Sequence, residues 1–111
     1  MISKKLNCVA TKGNLNNHIG VPLTLLSMNE TTQFGIVEMG ANHPGEIEFL
    51  CNIANPDYGL ITNIGEAHIE GFGSKEMIIE TKTALYRHVA AKQGKLFVNS
   101  SDELLMEKSA Q

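Results

Sequence analysis

The segment FGIVEMGANHPGEIEFLCNIANPDYGLIT, residues 34–62, contains a strand, a helix and a second strand in order. Its two ends, residues 34–39 and 58–62, are apolar runs without strict alternation, which is typical of strands covered on both faces. Between them apolar residues recur at helical spacing, and Asn55 and Pro56 end the helix. This order predicts a right-handed crossover between parallel strands. The apolar helical positions are Ile47, Leu50, Cys51 and Ala54.

The same alternation of strand and helix extends along the rest of the chain. Apolar runs at residues 7–11 (NCVAT) and 95–99 (KLFVN) read as two more strands, with helical patterns between all four. Strands alternating with helices predict an α/β fold, a three-layer parallel sheet with helices on both faces. We expect residues 1–111 to form one unit.

Helix starts are predicted from capping residues and prolines. Pro22 and Pro44 suit first helical turns, and Ser74 can cap a long helix that runs to about Ala91. Ser100 and Glu103 have capping-box spacing before a last helix.

Composition excludes several classes of protein. The chain has 111 residues, 42% hydrophobic and 19% charged, which is typical of one globular domain. No segment approaches the roughly 18 apolar residues of a membrane span, and the first residues lack a signal-peptide core, so we predict a cytoplasmic protein. A net charge of −3 without a Lys/Arg cluster argues against nucleic-acid binding. Cys8 and Cys51 lack metal-type spacing and are predicted to be small buried hydrophobes.

Polar residues follow the strands at their carboxyl ends, where parallel sheets bind ligands. Glu38 is next to last in its apolar run and is expected to be buried in the strand, so its carboxylate must be paired, hydrogen-bonded or bound to a cation. His68 lies in the glycine-rich loop after the third strand. If both side chains reach one crevice they can hold a divalent cation; otherwise Glu38 makes a structural contact and His68 is an ordinary loop histidine.

Lys82 lies on the same helical stripe as Ile78, Leu85 and Val89, where an aliphatic side chain is expected. In one interpretation its stem packs on the core and its ammonium group reaches water. In the other, the amine ends in the crevice, and desolvation lets it react with carbon dioxide to form an anionic carbamate.

An asparagine-rich segment, TKGNLNNHIG, precedes the helix near Pro22. Asn14, Asn16, Asn17 and His18 supply amide and imidazole groups suited to anionic or sugar-bearing ligands. The alternative is a polar turn in which the asparagines satisfy nearby backbone groups.

Four stretches, ATKGNLNNHIGVPLTLL, VEMGANHPGEIEFL, ITNIGEAHIEGFGS and ETKTALY, together resemble the central, ATP-handling domain of the Mur ligases over about residues 7–102. Within that family they are most similar to the ligases that add D-alanyl-D-alanine to UDP-N-acetylmuramoyl-tripeptide in peptidoglycan precursor synthesis. The resemblance implies ATP and Mg²⁺ as cofactors and an acyl phosphate formed on the peptide carboxylate.

The resemblance also implies roles for individual residues. Glu38 and His68 would be magnesium ligands, and Lys82 would be the carbamylated lysine that supports a second metal. These three would form the catalytic set. Asn14 and Asn17 would lie near the peptide-nucleotide substrate, and Asn63 would line the crevice.

One motif of the family does not occur. The phosphate-binding GxxGKT loop is absent from the 111 residues. We therefore expect a fragment that lacks the first strand, the phosphate-binding loop and the end of the central domain, and that neither hydrolyses ATP nor ligates alone. Exposed strand edges then predict self-association between copies.

Two alternatives remain: another amide ligase, folylpolyglutamate synthase-like or cyanophycin synthetase-like, or a non-catalytic α/β binding domain.

Overall fold

The computed structural model describes residues 6–110, which form two compact units. The first unit ends at Gly40, and the second begins at Ala41. None of the helices within residues 6–110 is long and apolar enough to cross a membrane.

The first unit is a strand, a helix and a strand. It contains β1 (Cys8–Ala10), α1 (Gly20–Leu26) and β2 (Phe34–Ile36). The two strands pair in parallel with Val9 opposite Gly35. This is the strand, helix and strand order that the sequence predicts for these residues, and a parallel partner can be reached only through a connection that returns along the sheet.

Helix α1 begins where an asparagine side chain satisfies its first backbone N–H groups. Asn17 Oδ1 accepts hydrogen bonds from the N–H of Ile19 at 3.1 Å and of Gly20 at 2.8 Å. Pro22 lies in the first turn, as predicted, where its missing N–H costs nothing. Val21 on the inner face is fully buried.

The second unit contains two strands and five helices among its described residues. Strands β3 and β4 pair in parallel with Gly59 opposite Leu96. The core of this unit consists of Ile61, Ile64, Phe72, Ile78, Tyr86 and Leu105. The elements are α2 (Glu46–Ala54), β3 (Tyr58–Leu60), α3 (Ile69–Phe72), α4 (Lys75–Lys82), α5 (Ala84–Ala91), β4 (Lys95–Phe97) and α6 (Glu103–Ser109).

Helix α5 packs closely on strand β3 because a glycine lies beneath it. A Cβ atom at Gly59 would lie 3.2 Å from Leu85 Cγ and 3.3 Å from Val89 Cγ2. Any side chain there would push α5 away from the strand.

The α/β class and all four strands are confirmed, but the strands are shorter than predicted. Each has three residues, and within residues 6–110 the backbone ladders join β1 with β2 and β3 with β4, not all four in one ladder. Beyond β2 the backbone N–H of Glu38 donates to Thr11 Oγ1 at 2.8 Å, so a side chain takes the place of a ladder partner.

The predicted long helix after Ser74 is two helices. Ser74 caps α4 as predicted, since its Oγ accepts a hydrogen bond from the Met77 N–H at 3.1 Å. A one-residue irregularity at Thr83, where φ is −75° and ψ is −3°, then separates the two helices. The stripe that contains Lys82 therefore crosses a break, and Lys82 is the last residue of α4.

Two predicted helix starts were each wrong by two residues. Pro44 lies outside α2, because Gly45 adopts a left-handed φ of 81° and the helix starts at Glu46. Helix α6 is capped by Asp102, whose Oδ1 accepts from the Leu105 N–H at 3.1 Å, and not by Ser100. Asn55 ends α2, as its place before Pro56 indicates. It does so in the left-handed conformation, which asparagine tolerates at helix ends.

Candidate functional site

Glu38 lies in the first unit, two residues beyond the end of β2, and it is exposed. Its burial inside a strand was therefore a wrong prediction, because the ladder ends before the chain reaches it. Its carboxylate accepts one long hydrogen bond, from Asn16 Nδ2 at 3.5 Å. An exposed carboxylate with one weak neutral partner is available to bind a cation.

The asparagines that precede α1 are partly used by the fold. Asn17 caps the helix through its side-chain oxygen, as described above. That oxygen therefore satisfies nearby backbone groups, as the polar-turn alternative predicts. Asn14 is exposed, and its backbone carbonyl accepts from the Asn16 N–H at 2.8 Å. A role for Asn14 or Asn17 in substrate binding stays a prediction.

In the second unit, His68 lies on the wall of a shallow depression. It adopts a left-handed φ of 62° and directly precedes α3. Backbone conformations of this kind are unfavourable for residues with a Cβ and tend to occur at functional sites. The depression is lined by Asn42, His43, Glu66, His68, Ile69, Glu70 and Gly71.

A carboxylate fixes the turn at Asn42 and His43, which also lines the depression. Glu46 Oε1 accepts hydrogen bonds at 2.6 Å from the backbone N–H groups of both Asn42 and His43. Helix α3 approaches this turn so closely that a Cβ atom at Gly71 would lie 2.3 Å from the Asn42 carbonyl oxygen. Glycine is therefore required at that contact.

Lys82 is half-buried, and its ammonium group does not simply extend to water. Its Nζ donates a hydrogen bond to the Ile64 carbonyl oxygen at 2.6 Å. Ile64 belongs to the loop that follows β3, and Asn63 and His68 are in the same loop. The second unit thus holds the Lys82 amine on the loop that carries two other predicted site residues.

The predicted residues fall into two sets. Glu38, Asn14 and Asn17 belong to the first unit, while Asn63, His68 and Lys82 belong to the second.

The donor types suit a divalent cation, although the described residues do not form a ready-made cluster. Within residues 6–110, no group of three or more His, Cys, Asp or Glu side chains lies close enough together to hold a metal ion. A carboxylate and an imidazole are nevertheless ligands that divalent cations accept. Lys82 Nζ donates a hydrogen bond to the Ile64 carbonyl oxygen, whereas a carbamate on that nitrogen would supply an anionic oxygen ligand.

Sequence reasoning missed the Ile64 carbonyl and the capping role of Glu46. A backbone carbonyl has no residue-specific signature, whereas the glutamate three residues after His43 could have indicated a turn closed by its side chain.

Cys51 is not a candidate nucleophile. Burial, with a smaller effect of the Glu48 carboxylate, raises the pKa of its thiol to about 11. The thiol is therefore protonated at neutral pH, and protonated thiols are poor nucleophiles.

Comparison with known protein families gives one match over the whole chain. The model of the Mur ligase middle domain matches residues 1–111. The Mur ligase resemblance seen in the sequence is confirmed by this match.

Curated relatives share about two fifths of their aligned residues with this chain. A UDP-N-acetylmuramoyl-tripeptide–D-alanyl-D-alanine ligase from Bacillus subtilis is 43% identical over 99 residues, 89% of this chain and 21% of the relative. The ligase of the same name from Haemophilus influenzae is 44% identical over 90 residues, 81% of this chain and 20% of the relative. The chain thus spans about a fifth of the length of these relatives.

Solved structures show the same fold. A crystal structure of MurF from Acinetobacter baumannii superimposes with a TM-score of 0.87 and 38% identity, over 98% of this chain and 24% of that one. MurF ligase from Thermotoga maritima in complex with ADP superimposes with a TM-score of 0.86 and 33% identity, over 98% of this chain and 25% of that one.

Proposed function

Because the chain belongs to the Mur ligase middle-domain family, we propose that it is part of an enzyme that joins D-alanyl-D-alanine to UDP-N-acetylmuramoyl-tripeptide. The observation that carries this proposal is the 43% identity to such a ligase over 99 residues. In the proposed reaction ATP phosphorylates the terminal carboxylate of the peptide, which gives an acyl phosphate and ADP. The amine of the dipeptide then attacks the acyl carbon, an amide bond forms, and phosphate leaves.

Charge is the main obstacle to the first step, because a carboxylate must approach a triphosphate. Bound Mg²⁺ would reduce that repulsion. We assign Glu38 and His68 as Mg²⁺ ligands, each by its own chemistry: Glu38 is an exposed carboxylate, and His68 is an imidazole at a strained loop position. Lys82, as a carbamate, would supply a further anionic oxygen.

The nucleotide is proposed to be ATP, in line with the ADP bound to the Thermotoga maritima relative. The 111 residues contain no GxxGKT motif, so we expect no ATP hydrolysis by this chain alone. The peptide-nucleotide substrate is proposed to contact Asn14, Asn17 and Asn63, which are all exposed.

The proposal is tested in the complete ligase that contains these residues. Glu38→Gln, His68→Asn and Lys82→Ala are each expected to lower kcat by about 100-fold or more, because they remove groups that offset charge in the transition state. His88→Asn and Lys95→Ala are matched controls elsewhere in the second unit and are expected to stay within about twofold.

Product formation is followed by phosphate release and by mass spectrometry of the extended peptide. Full activity of all three site variants would refute the assigned roles. Turnover with a different acid or amine and none with these substrates would favour the other amide ligases. Purified chains that associate in solution would support the separate prediction of self-association.

A further inference from the structure

The break between α4 and α5 lies directly after Lys82. At Thr83 the backbone ψ is −3°, compared with about −42° in a regular helix. Backbone hydrogen bonds still reach this residue from both sides, from the Thr83 N–H to the Ile79 carbonyl at 3.0 Å and from the Arg87 N–H to the Thr83 carbonyl at 3.2 Å. The break is therefore an ordered irregularity of the backbone at Thr83 and not a frayed helix end, and we call this irregularity the bend.

Side chains supply hydrogen-bond donors at the bend. Thr83 Oγ1 donates to the Ile79 carbonyl oxygen at 2.7 Å and accepts from Arg87 Nη1 at 3.0 Å. Arg87 Nη2 donates to the Glu80 carbonyl oxygen at 2.8 Å. Thr83 is only 4% exposed, so its hydroxyl bonds are shielded from water. We call these two side chains, Thr83 and Arg87, the junction brace.

The bend matters because the two ends of this segment are fixed to the same strand region. On one side of it, Leu85 and Val89 of α5 lie against Gly59 of β3. On the other side, Lys82 Nζ is 2.6 Å from the carbonyl oxygen of Ile64, in the loop that follows β3. Because Thr83 lies between these two contacts, a change in its ψ would move Lys82 relative to α5.

We propose that the junction brace is a positioning device for Lys82, which holds its amine on the Ile64 carbonyl and so beside the loop that carries His68. Its importance for catalysis rests on the proposed function, whereas its effect on Lys82 does not. Thr83 and Arg87 are positioning residues and act only through the geometry of the bend.

The test measures the acetylation rate of Lys82 in the full 111-residue chain. The chain is treated briefly with N-hydroxysuccinimidyl acetate, and modified peptides are quantified by mass spectrometry. The rate at Lys82 is divided by the rate at Lys95, an exposed strand residue. We expect Thr83→Val and Arg87→Met to raise this ratio by about threefold to tenfold, the effect of losing about one hydrogen bond.

Two further variants separate positioning from other effects. Thr83→Ser keeps the hydroxyl and is expected to restore the ratio to within about twofold of the original chain. Glu80→Gln removes the ion pair between the Arg87 guanidinium and the Glu80 carboxylate, 3.3 Å apart, but keeps the Glu80 carbonyl. It is expected to leave the ratio unchanged, because exposed ion pairs contribute little.

Only variants that circular dichroism shows to be as folded as the original chain are compared. If Thr83→Val does not fold, the comparison uses Arg87→Met. An unchanged ratio in folded Arg87→Met would overturn the proposal. An equal rise in Glu80→Gln would also overturn it, since the ion pair would then be responsible. If Lys82 proved to have no role in the ligase reaction, the effect of the junction brace on the Lys82 acetylation rate could still be observed. Failure of the proposed function and failure of this proposal are therefore distinguishable.

Discussion

Replacing Gly71 by alanine places a methyl group against the turn that forms one wall of the depression. The added Cβ would lie 2.3 Å from the Asn42 carbonyl oxygen, whereas ordinary contacts begin at 3.4 Å. One of the two backbones must therefore move by about 1 Å. The turn is held in place, because the backbone N–H groups of Asn42 and His43 both donate to Glu46 Oε1 at 2.6 Å. We expect α3 to be displaced.

The expected cost is about 1–3 kcal/mol of the free energy of unfolding, the usual range for overpacking. Urea denaturation measures it as a lower midpoint with an unchanged m-value. The matched control is Gly73→Ala, which introduces strain at a φ of +88° but meets no atom within 4 Å. Only Gly71→Ala should shift the amide resonances of Asn42 and His43. An unchanged midpoint together with unchanged resonances would refute the close approach of α3.

Two other perturbations concern the helix caps and the buried thiol. Ser74→Ala should lower the free energy of unfolding by about 1 kcal/mol, while Ser100→Ala should change it by less than about 0.5 kcal/mol, because Asp102 caps α6; equal losses in urea denaturation would contradict these assignments. The raised pKa of Cys51, about 11 against an ordinary 9.0, stabilises the fold below pH 9, and this contribution is lost as pH rises from 9 to 11. Over that window the stability of the original chain should fall by about 2–3 kcal/mol more than that of Cys51→Ala, and parallel pH profiles would show that the thiol is not shielded.

The fold was predictable where local chemistry and tertiary packing agree. Apolar runs located all four strands, and Asn55 before Pro56 located the end of α2. The break at Thr83 was not predictable, because Leu85 and Val89 continue the helical spacing of Ile78 across it. At the break, Thr83 and Arg87 donate side-chain hydrogen bonds to backbone carbonyls. A threonine or an arginine has the same helical periodicity whether or not it makes such bonds.

The candidate site was predictable as a set of residue types and much less as a geometry. The resemblance to the Mur ligases pointed to Lys82, and the structure places its amine on the Ile64 carbonyl, a backbone atom that no sequence pattern marks. The predicted burial of Glu38 was wrong because only three of the six residues in the apolar run 34–39 belong to strand β2. Apolar character therefore predicts a strand better than it predicts where the strand ends.

The most direct test of the account is the position of the metal in crystals of the complete ligase, grown with Mn²⁺ and a non-hydrolysable ATP analogue. Anomalous scattering locates Mn²⁺ independently of the surrounding model. We expect Mn²⁺ within about 2.0–2.3 Å of the Glu38 carboxylate, Mn²⁺ at the same distance from a His68 ring nitrogen, and Mn²⁺ beside a carbamate on Lys82. Manganese bound elsewhere, with Glu38 and His68 unligated and the Lys82 amine still bonded to Ile64, would contradict it.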